Sequence, residues 1–314
     1  MTRTCFSATA AFAALLSTPA AAQIGVRAST ATAQPSQSRT GDNAEIVVKG
    51  EKKEIAQALR QLIRPSGGAE QLARFEDDLC PLVAGMPRDW TQVLTRMIRA
   101  NVVAVGGKVA KGTGLKCKVN AVVIFIDQPL DLVKALAEAE PGFFAMTPRE
   151  LSQFTAAPRP VSSWHVTDTR DRDGQELGSV GSIGGSPADA KIVRNASASR
   201  LYSTIREDML TGFVVIDRQA TVGKSLRQLA DLATMHLLLD VRQDAGVNDR
   251  SSILSLFEPR AEGVAGPRGF SNFDRGALTG FYTQRENNRS AAQQRSNIAD
   301  AIRKGAAEEP PKKR

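Results

Sequence analysis

The strongest hydrophobic pattern in the chain lies between Thr211 and Val241. The run Phe213-Val214-Val215-Ile216 is rich in β-branched side chains, which predicts a short strand covered on both faces. The segment 226–239 then leaves only a narrow polar stripe, formed by Arg227, Gln228, Asp231 and Thr234. A helix with so little polar surface is typical of a central position in a core. Thr221 or Ser225 is placed to cap this helix, because a side-chain hydroxyl can accept from a first-turn N–H group.

Hydrophobic periodicity elsewhere predicts a chain of alternating helices and strands. Helices are expected at 51–64, 89–105 with Asp89 as its cap, 129–140, 147–154 with Thr147 as its cap, 274–283 and 289–302. Strands are expected at 119–126, at 160–169, and as a hairpin of 198–206 with 211–217. The predicted fold class is therefore α+β, with a mixed or antiparallel sheet packed with several helices.

The N-terminus has the pattern of a bacterial secretory signal. Arg3 provides the positive charge, Phe6 to Leu16 an apolar core, and Pro19 to Ala22 a small-residue cleavage site. We therefore predict a signal peptide over 1–22, cleaved after Ala22, and a periplasmic or secreted mature protein. No later run reaches the roughly 18 apolar residues that a transmembrane helix needs.

Composition divides the remaining chain into three parts. Residues 23–43 are rich in Ala, Ser, Thr and Gln and are predicted to form a flexible leader. An α+β domain is expected over 44–305, with 156–160 as the place for a sub-boundary if it has two parts. A disordered charged tail is expected over 306–314.

Export determines how the three cysteines are interpreted. Cys5 lies inside the predicted signal, so Cys80 and Cys117 remain after cleavage. An oxidising compartment favours a bond between them, and two cysteines without histidine partners make a poor zinc site. We therefore predict a Cys80–Cys117 disulfide.

The formal net charge of +8 suggests contact with anionic material, although it does not distinguish lipid, polysaccharide and nucleic acid. Four lysines, Lys108, Lys111, Lys116 and Lys118, lie in one glycine-rich segment. Backbone N–H groups of such a segment could hold an anion, and an ordinary solvated loop is the competing interpretation. No specific nucleic-acid partner is predicted.

Several motifs resemble known sites but lack essential residues. Val222-Gly223-Lys224-Ser225 imitates the end of a phosphate-binding P-loop, yet position 218 holds Arg218 where the motif needs glycine. Asp171-Arg172-Asp173-Gly174 imitates a calcium loop, but its first and twelfth positions would be Thr169 and Val180. It is better interpreted as a turn. The chain also has no G-x-S-x-G serine elbow in its Gly/Ser-rich segment at 178–189.

The two histidines, His165 and His236, are the candidate catalytic residues. A zinc helix needs a second histidine four residues before His236, and that position is Leu232. Asp231 lies five residues from His236, about 140° away around a helix, so the two cannot easily bind one ion. We therefore predict no metal and no cofactor. A hydrolase that uses His165 or His236 with a nearby carboxylate remains an alternative.

Three segments together resemble a group of uncharacterised exported bacterial proteins. They are RFEDDLCPLVAGM with the later KCKVNAVVIFID, then FVVIDRQATVGKSLRQLADLATM, then SILSLFEP followed by NFDRGALTGFY. The last pair also resembles the C-terminal part of exported proteins thought to be zincin-like relics. The resemblance spans most of residues 44–284. It implies an α+β domain whose metalloprotease-like helix has lost its ligands, and it brings no catalytic residues.

The leading functional hypothesis is an exported, non-catalytic envelope protein that binds a partner or another envelope component. The first alternative is an envelope hydrolase with an unrecognised site. The second is a protein that binds an anionic polymer through Lys108, Lys111, Lys116 and Lys118. Binding of that last kind would depend steeply on salt concentration.

Overall fold

The structure is a computed structural model that describes residues 52–66, 70–113, 116–179, 191–193, 202–243, 250–285 and 287–308. Within these residues the chain forms seven α-helices and a four-stranded mixed sheet, which confirms the predicted α+β class. The helices are α1 (Lys52–Leu62), α2 (Arg88–Ala104), α3 (Pro129–Ala139), α4 (Pro148–Phe154), α5 (Leu226–Leu238), α6 (Asn272–Tyr282) and α7 (Ala291–Glu308). The predicted signal peptide and leader lie outside the described residues.

Six strands lie in two sheets in the described part of the chain. They are β1 (Pro81–Ala84), β2 (Ala121–Ile126), β3 (Val161–Asp171), β4 (Gly178–Ser179), β5 (Lys191–Ile192) and β6 (Ile205–Asp217). The main sheet has the order β1-β2-β6-β3, in which β1, β2 and β6 are parallel and β3 is antiparallel to β6. Strands β4 and β5 form a separate antiparallel pair. Helix α2 provides the crossover between the parallel strands β1 and β2.

Alternating side chains of the sheet pack against two different layers. Val214 and Ile216 of β6 belong to the large core that also contains α1, α2, α5, α6 and α7. Val215 and its neighbour Phe213 face a smaller aromatic cluster around Trp164, under α3 and α4. The prediction that residues 213–216 form a strand covered on both faces is therefore confirmed. Because residues on one strand alternate in direction, Ser163 and His165 point away from Trp164 and towards α5.

The central helix begins where a capping signal lies. Ser225 accepts from the backbone N–H of Gln228, and the Gln228 side chain accepts from the backbone N–H of Ser225, which completes a capping box. Of the two predicted caps, Ser225 is the correct one. The serine that makes this segment look like a P-loop therefore has a structural role, because its hydroxyl caps the start of α5.

The structure corrects two local predictions. Residues 205–217 form one continuous strand whose antiparallel partner is β3, so the expected hairpin of 198–206 with 211–217 is wrong. Asp89 does not cap α2: the helix begins at Arg88, after Pro87, and has no side-chain cap.

The structure bears on two of the proposed domain limits. The main sheet combines strands from both sides of 156–160, and these residues form the loop that connects α4 to β3. Helix α7 extends through Glu308, and the rest of the predicted tail lies outside the described residues.

The predicted disulfide is present in the structure. Cys80 and Cys117 are bonded, with their Cα atoms 6.1 Å apart. Cys80 is buried and directly precedes β1, while Cys117 lies in the segment that leads to β2. The bond therefore fixes the polar loop between α2 and β2 against the first strand of the sheet.

Candidate functional site

The two histidines lie close together, between β3 and the end of α5. His165 is on β3 opposite Gly212, and a Cβ atom at Gly212 would come within 3.1 Å of the imidazole. Glycine at this position therefore makes room for the ring. His236 lies in the last turn of α5, and both side chains are buried. The structure thus brings together the two residues that the sequence singled out.

A serine that the sequence analysis did not single out joins His236. The Oγ atom of Ser163 lies 2.9 Å from Nδ1 of His236. The side-chain amide of Gln243 donates to the same Oγ at 3.1 Å and to the backbone carbonyl of Ser163 at 3.3 Å. A hydroxyl bonded to an imidazole is the arrangement found in nucleophilic catalysis, so the pair requires a chemical assessment.

His236 is held in its neutral form. Burial, together with the neighbouring His165, lowers the pKa of His236 from 6.5 to about 3. A neutral ring can bond to Ser163, but it has little tendency to take the proton of the hydroxyl near neutral pH. The pair therefore lacks the basicity that an effective general base needs.

The nearest carboxylate is directed at the other histidine. Nε2 of His165 lies 2.9 Å from the carbonyl oxygen of Leu237, so this nitrogen carries a hydrogen. Nδ1 of His165 lies 3.8 Å from Oδ1 of Asp240, while Arg64 forms two hydrogen bonds to the Asp240 carboxylate. Burial opposes ionisation of Asp240, but His165 and Arg64 outweigh it and hold the pKa of Asp240 below its usual range.

Ser163 and Asp240 line a cavity of about 370 Å³, the Ser163 pocket. Its walls come from the end of α1, from α4 with the segment after it, and from the segment after α5. The remaining lining residues are Arg64, Met146, Glu150, Gln153, Phe154, Arg159, Val241, Arg242 and Gln243. The two histidines do not line the cavity and lie behind the residues that do.

Asp231, the carboxylate considered beside His236, has a structural role on another side of α5. It is fully buried and accepts hydrogen bonds from the side chains of Asn101 and Arg227 and from the backbone N–H of Phe270. His236 instead faces Ser163. Across the described part of the chain, no three His, Cys, Asp or Glu side chains form a group that could hold a metal ion.

The four lysines of the predicted anion site, Lys108, Lys111, Lys116 and Lys118, are all exposed in the segment between α2 and β2. Arg99 donates to the backbone carbonyls of Ala110 and Gly112 and thereby holds part of this loop. The ammonium groups form no ion pair or hydrogen bond with another described residue. Their role in binding an anionic polymer stays a prediction.

The sequence contains a partial signal for Ser163. Ser163 and His165 are two residues apart on a predicted strand, and such residues face the same side. His236 lies in the last turn of α5, and Asp240 follows the helix end. These spacings group the residues in two pairs, but only the fold shows that the two pairs meet.

Comparison with protein-family models, curated proteins and solved structures finds no match to this chain. In the part of the chain that the structure describes, no helix is long and apolar enough to cross a membrane.

Proposed function

We propose that the protein is an exported, non-catalytic binding protein of the bacterial cell envelope, which holds an anionic group of its partner in the Ser163 pocket. The observation that carries this proposal is the composition of the pocket wall. Three guanidinium groups surround a buried serine whose imidazole partner is neutral. Such a wall offers charge and hydrogen bonds for recognition without a competent base for chemistry.

The charged side chains that line the Ser163 pocket differ in whether they already have partners within the protein. Arg64 is paired with Asp240, and Arg159 donates to the backbone carbonyls of Phe154 and Gln153. Glu150 is engaged in the capping box of α4 with Thr147. Arg242 forms no side-chain hydrogen bond or ion pair with another described residue. We therefore assign Arg242 the main contact with an anionic partner, because a guanidinium binds a carboxylate or phosphate through two parallel hydrogen bonds.

The envelope location rests on the N-terminal pattern and on the cysteines. A bond between Cys80 and Cys117 is consistent with an oxidising compartment. The zincin-like ancestry stays a prediction: in α5 the positions of the first zinc histidine and its glutamate hold Leu232 and Ala233. Both are buried in the large core and serve packing.

Arg242→Gln is expected to weaken partner binding about tenfold, because one charge-assisted hydrogen bond is worth roughly 1.5–3 kcal/mol. The measurement is retention of a component from a solubilised envelope extract on immobilised protein at physiological salt. Arg149→Gln is the matched control, since Arg149 is exposed on α4 and does not line the pocket. Retention of nothing by the unchanged protein, or equal retention by both variants, would contradict the proposal.

A second candidate function is hydrolysis, with Ser163 as the nucleophile. The 2.9 Å contact with Nδ1 of His236 favours it, because this nitrogen is placed to accept the hydroxyl proton as Oγ attacks a carbonyl carbon. The low pKa of His236 opposes it. Asp240 also opposes it, because this carboxylate bonds to Arg64 and faces His165, leaving His236 without its support.

Exposure to a fluorophosphonate probe at pH 7 to 8 distinguishes the two candidate functions. We expect no labelling of the unchanged protein, as for a Ser163→Ala control, because a base with a pKa near 3 does not activate the hydroxyl. Intact-protein mass spectrometry measures the adduct. Stoichiometric labelling that disappears in Ser163→Ala and in His236→Gln would establish the hydrolase and overturn the non-catalytic proposal.

A further inference from the structure

A second polar pocket lies at the other end of the β3–β6 pair, with a volume of about 350 Å³. We call it the arginine pocket, because Arg74, Arg172, Arg206 and Arg285 line it. Ser163 and Asp171 are eight residues apart on β3, which is about 26 Å at 3.3 Å per residue, so the two pockets lie towards opposite ends of this strand. The arginine pocket is therefore independent of the Ser163 pocket.

Segments that are distant in the sequence form this pocket and are fixed by hydrogen bonds. Arg74, which is buried, donates to the backbone carbonyls of Phe281 and Gln284 at 2.8 and 2.9 Å. The neighbouring amides Asn287 and Asn288, also buried, donate to the backbone at Glu207 and Ser203. These bonds hold the wall in place before any ligand arrives, and preorganisation of this kind favours affinity.

The turn that imitates a calcium loop forms another part of the wall. Asp171 accepts from the backbone N–H groups of Asp173 and Gln175, and Gly174 has a φ of 87°. The prediction of a turn is therefore confirmed. A Cβ atom at Gly174 would come within 2.3 Å of the Arg206 guanidinium, so glycine lets the turn lie directly on this side chain. Arg172 and Asp173 line the pocket from the same turn.

The residues that line the arginine pocket carry a net positive charge. Glu76 bonds to Arg74 at 2.7 Å, and Asp173 lies 3.6 Å from Arg172. Four guanidinium groups therefore face two carboxylates among the lining residues. Arg285 forms no side-chain ion pair or hydrogen bond with another residue of the described part, so its guanidinium can bind a ligand.

Charged side chains of both signs lie just behind the wall. Asp208 bonds to Arg206 at 2.9 Å, and Arg289 donates to the Tyr202 hydroxyl at 3.1 Å. Tyr202 itself lines the pocket. Among the lining residues themselves the excess is two positive charges, which a ligand with two negative charges would neutralise.

We propose that the arginine pocket binds a phosphate monoester. This group carries a charge of about −1.5 to −2 at neutral pH and has three acceptor oxygens, which match the excess charge of the lining residues and their fork-shaped guanidinium donors. The pocket has room for a small organic group beside the phosphate and is too small for a polymer. The monoester can belong to a soluble metabolite or to a lipid head group, and the chemistry of recognition is the same for both.

Calorimetry with three probes tests this proposal. The probes are inorganic phosphate, glycerol 3-phosphate, and vesicles with phosphatidic acid in a neutral lipid, each with acetate as the singly charged comparison. The test variant combines Arg172→Gln with Arg285→Gln. The control combines Arg96→Gln with Arg149→Gln, which removes the same charge from exposed positions outside the pocket.

Saturable binding of glycerol 3-phosphate, weakened roughly a hundredfold in the test variant and unchanged in the control, is the expected result for a soluble ligand. Binding only to the phosphatidic acid vesicles, with the same dependence on the two arginines, would assign the lipid head group as the source. The proposal is overturned if no probe binds, if acetate binds as well as phosphate, or if the test variant and the control bind equally. Equal melting temperatures of the two variants exclude unfolding as the cause.

Discussion

Removing the Cys80–Cys117 bond is expected to lower the free energy of unfolding by about 4 kcal/mol. The two cysteines are separated by 37 positions, and closing a loop of this length reduces the entropy of the unfolded chain by roughly that amount in the chain-entropy model. A loss of this size is a large fraction of the 5–15 kcal/mol that stabilises an ordinary domain. The measurement is chemical denaturation of the mature protein with and without a reductant.

The double variant Cys80→Ala with Cys117→Ala provides the matched control. Its denaturation midpoint is expected to be low and independent of reductant, whereas the midpoint of the unchanged protein should fall towards it on reduction. Any remaining difference in midpoint between the reduced protein and the double variant reflects lost side-chain packing, because Cys80 is fully buried. An unchanged protein whose midpoint does not respond to reductant, together with two free thiols by mass spectrometry, would contradict the prediction.

The sequence predicted those elements whose signals are local. Helix α4 begins after Thr147 with the complete capping box that T-P-R-E indicates, because both partners of that box lie within four residues. The disulfide could also be predicted, since only two cysteines remain after the proposed cleavage. In both cases the sequence alone names the interacting residues.

Strand β6 could not be predicted as one element because Glu207, one of its buried carboxylates, has a partner that is distant in the sequence. Glu207 and Asp208 interrupt the apolar pattern, so the pattern predicts two strands on either side of them. In the fold, Glu207 accepts from Thr169 of β3, and Asp208 accepts from Arg206. The sequence does not show that a neighbouring strand will provide a partner for a buried carboxylate.

The same difficulty applies to both pockets. Ser163 and His236 are 73 positions apart, and the walls of the arginine pocket come from segments between Arg74 and Asn288. Strand β1 was missed for a related reason: it has only four residues, bounded by Pro81 and Gly85, and its identity depends on pairing with β2. Residue types and spacing define such features only after the topology is known.

Asp274→Asn is expected to stabilise the protein at pH 7, although the aspartate makes several hydrogen bonds. Asp274 is fully buried at the start of α6, where one oxygen accepts from the backbone N–H groups of Ile253 and Ser271. The other oxygen accepts from the Ser252 hydroxyl at 2.6 Å. An asparagine can keep all three contacts, because its carbonyl accepts from the two N–H groups and its amide donates to the serine oxygen.

The reason for the gain is the cost of burying a charge. Burial raises the pKa of Asp274 from 3.8 to about 6, against the effect of its hydrogen bonds. Between these two pH values the folded state holds more protons than the unfolded state, so stability falls as pH rises through this window. The loss is complete above about pH 6 and amounts to roughly 3 kcal/mol at 1.36 kcal/mol per pKa unit. Asparagine carries no charge and avoids this loss.

Denaturation of the unchanged protein, Asp274→Asn and Asp274→Ala between pH 4 and pH 7 measures the effect. Relative to the unchanged protein, the asparagine variant should gain up to about 3 kcal/mol as pH rises from 4 to 7. Subtracting the stability of the unchanged protein at each pH removes the contribution of other titrating groups. One of these is Asp240, whose lowered pKa acts in the opposite direction. The alanine variant should be about 3 kcal/mol less stable than the asparagine variant at every pH, because it leaves buried donors unsatisfied. If asparagine proved as harmful as alanine at pH 7, the ionised carboxylate would be stabilising α6, and its pKa in the folded protein could not be raised.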